Sequence, residues 1–327
     1  MSAEEQRRIL VQRFGVESEV EETPELVAEL LHNLRVEIDG ISEKEAYEAA
    51  LFIVPDHVED ESFLLAFLRA CEYNVKHSAQ RIVSYWDRKV QLFGVDVAFK
   101  PYVSLLDFKE EDHLALVKGG LRLLPHRDQA GRAIMYSVMG NYGDDVDGMV
   151  RYFWYILHAA FFQGSDCATV QKKGVVYIGG GNTGDRIHAF DSVKSYERYV
   201  RTACGDASSV LPIRVASLHV FAKSKFSLIL HERMLMFAGR DLRMRLNFYA
   251  AMEEFKMKNL NLLASCGIPA ETLPTEIGGE YTLGGPEWIS ESIVKELHAA
   301  GAGEGWEDQY PLAKKLLTLV SSRNNQS

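Results

Sequence analysis

The sequence predicts an α/β protein: a largely parallel sheet with helices packed on it, preceded by an all-helical N-terminal segment. Two observations carry this. Helical periodicity dominates the first third, and from about residue 120 short apolar strand runs alternate with helical patterns. A third bounds it: at 327 residues, 47% hydrophobic and 25% charged, the chain can bury a sizeable core.

Thr23 and Pro24 open a first helix as N-cap and first-turn proline, and Ser42 with Glu45 reads as a capping box for another. Three short helices are expected before residue 60. In ESFLLAFLRACEY, Phe63, Leu64, Phe67 and Leu68 fall at helical spacing. After a break at Asn74, a helix from about Val75 to Phe93 places Ala79, Ile82, Val83, Trp86, Val90 and Phe93 on one stripe. These aromatics read as core.

Leu121 to Leu124 and Ala133 to Val138 flank the turn-rich Asp128 to Gly131 and predict a hairpin. A long helix from Val146 to about Phe162 is aromatic on more than one face, which suits a helix covered on both sides or lining a pocket. Then follow a strand at Gly174 to Ile178, a helix at Ser192 to about Ala203, a strand at Val215 to Phe221, an apolar helix at Phe226 to Phe237 and a short strand at Leu246 to Tyr249. CGDASSV, from Cys204, reads as a turn.

The charge excludes a general nucleic-acid binder: the net is -10, and neutralising phosphates needs a basic face. It is unevenly placed. Met1 to Ser62 carries about 17 acidic against about 5 basic side chains, Arg186 to Lys258 about 13 basic against about 7 acidic. An anionic partner is expected at the second region, a protein partner at the acidic N-terminal helices. Four cysteines far apart, with no C-x-x-C pair, predict free thiols. No run of roughly 18 apolar residues and no signal-peptide centre is found, so the chain reads as cytoplasmic.

Gly179 to Gly184 match G-x-G-x-x-G after an apolar strand, the place of a dinucleotide turn. Such a turn must lead at once into a helix, with an acidic residue ending the next strand about 20 residues on. Here the helix starts only near Ser192, and Asp206 lacks strand context. An NAD(P)- or FAD-binding oxidoreductase is therefore the alternative reading, and a loop beyond a strand the preferred one. No nucleophile elbow, P-loop or H-E-x-x-H motif is present. Asp144, Asp145 and Asp147 read as a solvated loop. No catalytic residue, metal or cofactor is expected.

Residues from about Glu61 to Tyr281 resemble the CRAL-TRIO lipid-binding family in four ordered motifs. FLLAFLRACEYNVKHSAQRIVSYWDRK is similar to its N-terminal helical signature, RDQAGRAIMY to its hairpin, and VLPIRVASLHVF to its proline-basic strand. LPTEIGGEY, with Leu273, Pro274, Glu276, Gly278 and Gly279, is similar to its closing motif. The strand ending D-L-x-G, the asparagine and proline after the Val215 strand, and the K-P-F-L end of the gate helix are absent. The family's inositol-specific positions do not carry over.

The resemblance implies a mixed, largely parallel sheet floor with helices and a mobile gate helix. It divides the chain into an N-terminal helical domain at 1–115 (core 61–95), a lipid-binding domain at 116–283 and a C-terminal helical extension at 284–327. It implies a soluble carrier, not an enzyme, that exchanges a bound hydrophobic ligand with membranes. Strand alternation and the aromatic helix supply the expected pocket walls: Tyr136, Val138, Phe153, Leu157, Val176 and Ile178, together with Leu218, Val220, Phe226, Ile229 and Leu230. Met234, Phe237 and Gly239 are the expected gate and hinge. In part of the family a basic cleft holds a phosphoinositide headgroup, and Arg214 matches one of its positions; the local basic band of Lys223, Lys225, Arg233, Arg240, Arg243 and Arg245 beside the gate is expected to make headgroup or membrane contact together with it. A lipid-sensing regulatory module is a further alternative.

Overall fold

The computed structural model describes residues 20–117, 120–137, 145–162, 167–179, 192–222, 240–250, 256–282 and 284–324. The expected helix Phe226 to Phe237 and most of the Gly179 to Gly184 loop lie outside these residues.

Helices come first: α1 (Pro24–Asp39), α2 (Glu45–Ile53), α3 (Pro55–Val58), α4 (Glu61–Ala70), α5 (Val75–Phe93), α6 (Val95–Ala98) and α7 (His113–Val117). Thr23 caps α1 by accepting the Leu26 N–H at 3.2 Å, with Pro24 in the first turn, as the sequence predicts. The capping box at Ser42 does not form. Lys44 occupies the cap position of α2 without a side-chain bond, because its ammonium reaches back to the Ile38 and Asp39 carbonyls at the end of α1. Asn74 breaks the chain before α5 by accepting the His77 N–H at 3.0 Å.

The five-stranded sheet runs in the order β1 (Leu121–Leu123), β2 (Ala133–Ser137), β3 (Val175–Gly179), β4 (Val215–Ala222) and β5 (Leu246–Ala250). The first pair is antiparallel and the remaining three are parallel. This is the mixed, largely parallel sheet that alternating strands and helices predict. The hairpin turn is built on Asp128, whose carboxylate accepts the Ala130 and Arg132 N–H groups and pairs with the Arg132 guanidinium.

Two crossovers put α8 (Val146–Phe162), α9 (Cys167–Lys173) and α10 (Val193–Ser209) between successive parallel strands. The chain continues through α11 (Arg240–Met244) into β5, then to α12 (Lys256–Ser265), α13 (Gly285–Ala299), α14 (Trp306–Gln309) and α15 (Pro311–Asn324). Residues 204–209, expected as a turn, are the last turns of α10. Asp206 is held by partners on other helices, and the Ser208 and Ser209 hydroxyls bond back to the Gly205 carbonyl, so tertiary contacts extend the helix.

Strand residues alternate between two cores. Met135 and Val175 pack into the larger one with the aromatic rows of α5 and α8, where the Tyr85 and Trp154 rings stack at 5.6 Å. Tyr152, Trp154, Tyr155 and Phe161 are all buried, so α8 is covered on more than one side, as its composition predicts. Ile134, Tyr136, Val176 and Ile178 face a second core closed by Leu263, Ile268 and Leu273.

The parity of β4 is broken once. Val175 pairs with Val215 but Val176 with Ser217, so Ala216 is an extra residue, a bulge that puts Val215 and Leu218 on the same face.

The segment LPTEIGGEY folds back on itself through Thr275 to Tyr281 and Tyr281 to Leu273 backbone bonds. A Cβ at Gly279 would lie 2.0 Å from the Leu273 carbonyl oxygen, so only glycine fits; Gly278 sits at φ 93°.

Before α1, the Glu22 carboxylate receives Arg69 in a two-toothed pair at 2.7 Å, Lys172 at 2.9 Å and the Tyr73 hydroxyl at 2.8 Å. Burial alone would raise this carboxyl, but those bonds outweigh it and hold it at about 2. A carboxyl depressed on folding stabilises the protein above its ordinary pKa of 4.5 and loses that contribution as pH falls toward 2. Glu22→Gln should therefore lower the urea midpoint at pH 7, and the gap to wild type should close as pH falls from 4.5 toward 2; a pH-independent gap would refute the linkage.

Candidate functional site

One face of the sheet and two helices line an apolar cavity of about 90 Å³. Its floor is Met135, Val175, Tyr177, Val215, Leu218 and Val220; α8 contributes Phe153 and Leu157, and α10 contributes Tyr196, Val200, Ala203 and Cys204. These residues meet because parallel neighbours in register share a face: Met135, Tyr177 and Leu218 form one row across three strands. Burial pushes the Cys204 thiol up to about 11, which removes it as a nucleophile near neutral pH.

Of the pocket walls expected from the sequence, Phe153, Leu157, Leu218 and Val220 line this cavity. Tyr136, Val176 and Ile178 do not; they sit on the opposite face, in the second core. The bulge at Ala216 is the physical reason, since alternation counted along β4 cannot be joined to alternation along β3 without it. Val138, Phe226, Ile229 and Leu230 lie outside the described residues, as do Met234, Phe237 and Gly239.

A polar groove of about 810 Å³ opens beside the cavity. Glu72 and Asn74 come from the turn after α4, His77, Gln80 and Arg81 from α5, Ser208 and Ser209 from the end of α10, and Arg214 and Arg245 from the ends of β4 and α11. Arg81 donates to the Ala207 carbonyl at 2.8 Å, capping α10, with its other terminal nitrogen 3.6 Å from the Cys71 sulfur.

Arg214 is 3% exposed, and its Nε and Nη2 make no hydrogen bond. Glu72 is 3.7 Å from Nη2, too far for one and itself 63% exposed. Leaving donors of a buried charged group unmade costs roughly 1–3 kcal/mol or more, and both nitrogens lie buried in the groove wall. Burial draws the Arg214 guanidinium below its ordinary value, with Glu72 opposing and Arg245 reinforcing.

Among the other expected headgroup residues, Arg245 lines the groove and donates to the Val215 carbonyl at 2.5 Å. Arg243 is exposed on α11. Arg240 opens α11 but its side chain is outside the described residues, as are Lys223, Lys225 and Arg233. Arg81 was not among the residues singled out from the sequence; its place on the face of α5 turned toward α10 is not legible from α5 alone.

Asp206, the acidic residue nearest to a dinucleotide spacing, is inside α10 and accepts from Trp154 and Arg88. Asp145 caps α8 through the Gly148 N–H, Asp147 pairs with Arg198, and no metal-type cluster is found among the described residues. His219, bonded to Tyr249 and Ser217 on the back of the sheet, is held neutral by burial, which lowers it to about 3.

Fold and site together define a class: an α/β sheet protein with an apolar cavity on one sheet face and a basic groove on the cavity's margin. No family model and no curated protein matches the chain. Among solved structures, the crystal structure of Sfh5 is similar at a TM-score of 0.46 and 10% identity, over 92% of this chain and 99% of that one.

Cavity filling tests the geometry directly. Ala203→Leu should raise stability by roughly 0.5–2 kcal/mol, as filling substitutions commonly do, read as a higher thermal midpoint; a fall would mean that the space is already closed.

Proposed function

We propose that this protein is a soluble carrier that holds a hydrophobic ligand on the apolar face of its sheet and exchanges it with membranes. The cavity between the sheet and helices α8 and α10 carries the reading, because its floor and walls are almost wholly apolar. Its present volume, about 90 Å³, is below the roughly 300–1,000 Å³ of ligand pockets, so uptake requires the cavity to widen. The Lys223 to Gly239 segment between β4 and β5 brings Phe226, Ile229, Leu230, Met234 and Phe237 to that task in sequence, as a gate.

Moving a sixteen-carbon chain into water would cost about 13 kcal/mol, at ~0.8 kcal/mol per methylene. A carrier that passes the chain from bilayer to cavity avoids most of that barrier, and no catalytic group is needed. Arg214, Arg243 and Arg245, to which the sequence adds Lys223, Lys225, Arg233 and Arg240, would meet an anionic headgroup, phosphoinositide included, at about 1 kcal/mol per charge near the surface. The working place of such a protein is the cytoplasm, with transient contact at membrane surfaces.

A second reading, recruitment of a protein partner by the acidic N-terminal helices, is favoured by Phe52 and Ile53 on α2, 89% and 54% exposed.

Native mass spectrometry of the purified protein should find one hydrophobic molecule per chain. Ligand-free protein that also refuses every fluorescent lipid would end the carrier reading. Reversing Arg240, Arg243 and Arg245 to Glu should weaken binding to anionic vesicles several-fold more than to neutral ones; equal loss on both would remove the electrostatic role.

A further inference from the structure

We propose that the seam between α5 and α8 is a pH-sensitive joint: proton uptake by bases buried in it loosens α8, and with α8 the wall of the apolar cavity. Only the consequence for ligand exchange rests on the carrier reading.

Three bases meet in this seam. Lys89 of α5 is fully buried and pairs with no carboxylate among the described residues. Lysine is almost never so buried without one. Its ammonium donates to the Lys100 carbonyl at 2.6 Å and lies over two rings, 4.9 Å from the centre of Trp86 and 5.6 Å from that of Tyr85. His57 of α3 packs edge-on against Trp86 at 6.2 Å, and His158 of α8 meets the Tyr85 hydroxyl at 3.1 Å. The other polar atoms of these imidazoles that are buried, His57 Nε2 and His158 Nδ1, make no hydrogen bond.

The acids around the seam are engaged elsewhere. Asp107 pairs with Lys100, Asp206 with Arg88 and Trp154, and Asp112 with Arg151, while Asp60 accepts the Phe63 N–H. The Tyr85 and Tyr102 phenols are both raised by burial and stay neutral. A proton taken up here therefore meets rings and other bases.

Burial draws Lys89 from 10.5 to about 7, with Asp107 opposing. Burial first, then the Lys89 charge, lowers His57 from 6.5 to about 4 against the pull of Asp60. The same two causes, with His57 added, hold His158 well below 6.5. A base lowered in the closed joint favours opening wherever the open form holds the proton and the closed form does not. For Lys89 that window runs from 10.5 down to about 7, and for His57 from 6.5 down to about 4. Within each window, a fall of one pH unit favours opening up to about tenfold. Acidification acts in the same direction at all three bases.

Helix α8 carries the effect to the cavity. Trp154 and His158 face the seam, where Trp154 stacks on Tyr85 at 5.6 Å. Phe153 and Leu157, one position before each, line the cavity. What loosens one stripe of α8 frees the other, and ligand entry needs this wall to move.

Hydrogen exchange of the full chain at pH 9, 8 and 7, corrected for the intrinsic pH dependence of exchange, tests the joint. Protection of the α8 amides should fall about tenfold or more from pH 9 to pH 7, and at each pH should stay below that of β3. In Lys89→Met the change in α8 should shrink to about twofold or less. Uptake of a fluorescent phospholipid from neutral vesicles should quicken over the same range in the wild type and not in the variant.

Wild-type α8 protection that is flat from pH 9 to pH 7 overturns the joint, whether or not the variant folds. So does α8 protection equal to that of β3, because Lys89 would then be exposed only by global unfolding. A pH dependence that persists in Lys89→Met overturns the assignment to this lysine. Lipid uptake indifferent to pH while α8 loosens overturns the gating, and no uptake at any pH ends the carrier reading while α8 protection still judges the joint.

Discussion

The arrangement around the cavity depends on one buried carboxylate. Asp206, 5% exposed in the last turns of α10, accepts the Trp154 indole N–H at 2.8 Å and the Arg88 guanidinium at 3.1 Å and 3.2 Å. Three helices meet at these bonds: α5, α8 and α10. Burial raises the Asp206 carboxyl while Trp154 and Arg88 lower it, and the balance leaves it above the ordinary carboxylate range. The bonds matter more to position than to net stability, because a buried charge pair offsets little more than its own desolvation. Losing Asp206 would strand an indole and a guanidinium between helices, whereas keeping it fixes α10 over the sheet at the distance that leaves the cavity.

The same contacts join the N-terminal helices to the sheet domain. Arg69 of α4 reaches Gln171 of α9, Arg81 of α5 caps α10, and the Tyr85 hydroxyl meets His158 of α8 at 3.1 Å. Residues from Leu31 to Leu316 contribute to a single hydrophobic cluster. The groove arises at this junction, since its walls come half from the first helices and half from the sheet domain. Its polarity follows from where it sits: helix ends and strand ends present unpaired carbonyls and N–H groups, and the arginines gather there.

Much of the fold was legible because local signals and tertiary demands agreed. Asn74, Thr23 and the apolar run of Val146 to Phe162 mark element bounds that the structure reproduces. Where they disagreed, tertiary contacts won: the Ser42 and Glu45 capping box gave way to Lys44, which bonds back to the end of the preceding helix, and the glycine and serines after Cys204 stayed helical because Asp206 is anchored. The site was legible by half. Phe153 and Leu157 follow from helical spacing and Leu218 and Val220 from alternation, but alternation alone could not assign Tyr136, Val176 and Ile178 to the other face. The groove was least legible, since Arg81 and Arg214 are 133 positions apart and only the folded chain brings them to one wall.

The extra residue at Ala216 sets which side chains the cavity face presents. Paired regularly with Ala216 retained, β4 would turn Ser217 and His219 toward α8 and α10, and Leu218 and Val220 toward Tyr136 and Ile178. A bulge lost with no residue lost would thus exchange a greasy floor for one bearing a hydroxyl and an imidazole, whereas deleting Ala216 would leave Leu218 and Val220 on the floor. Strand parity in this sense decides the chemistry of the cavity floor, in a way that no comparison of residue types along the strand would reveal.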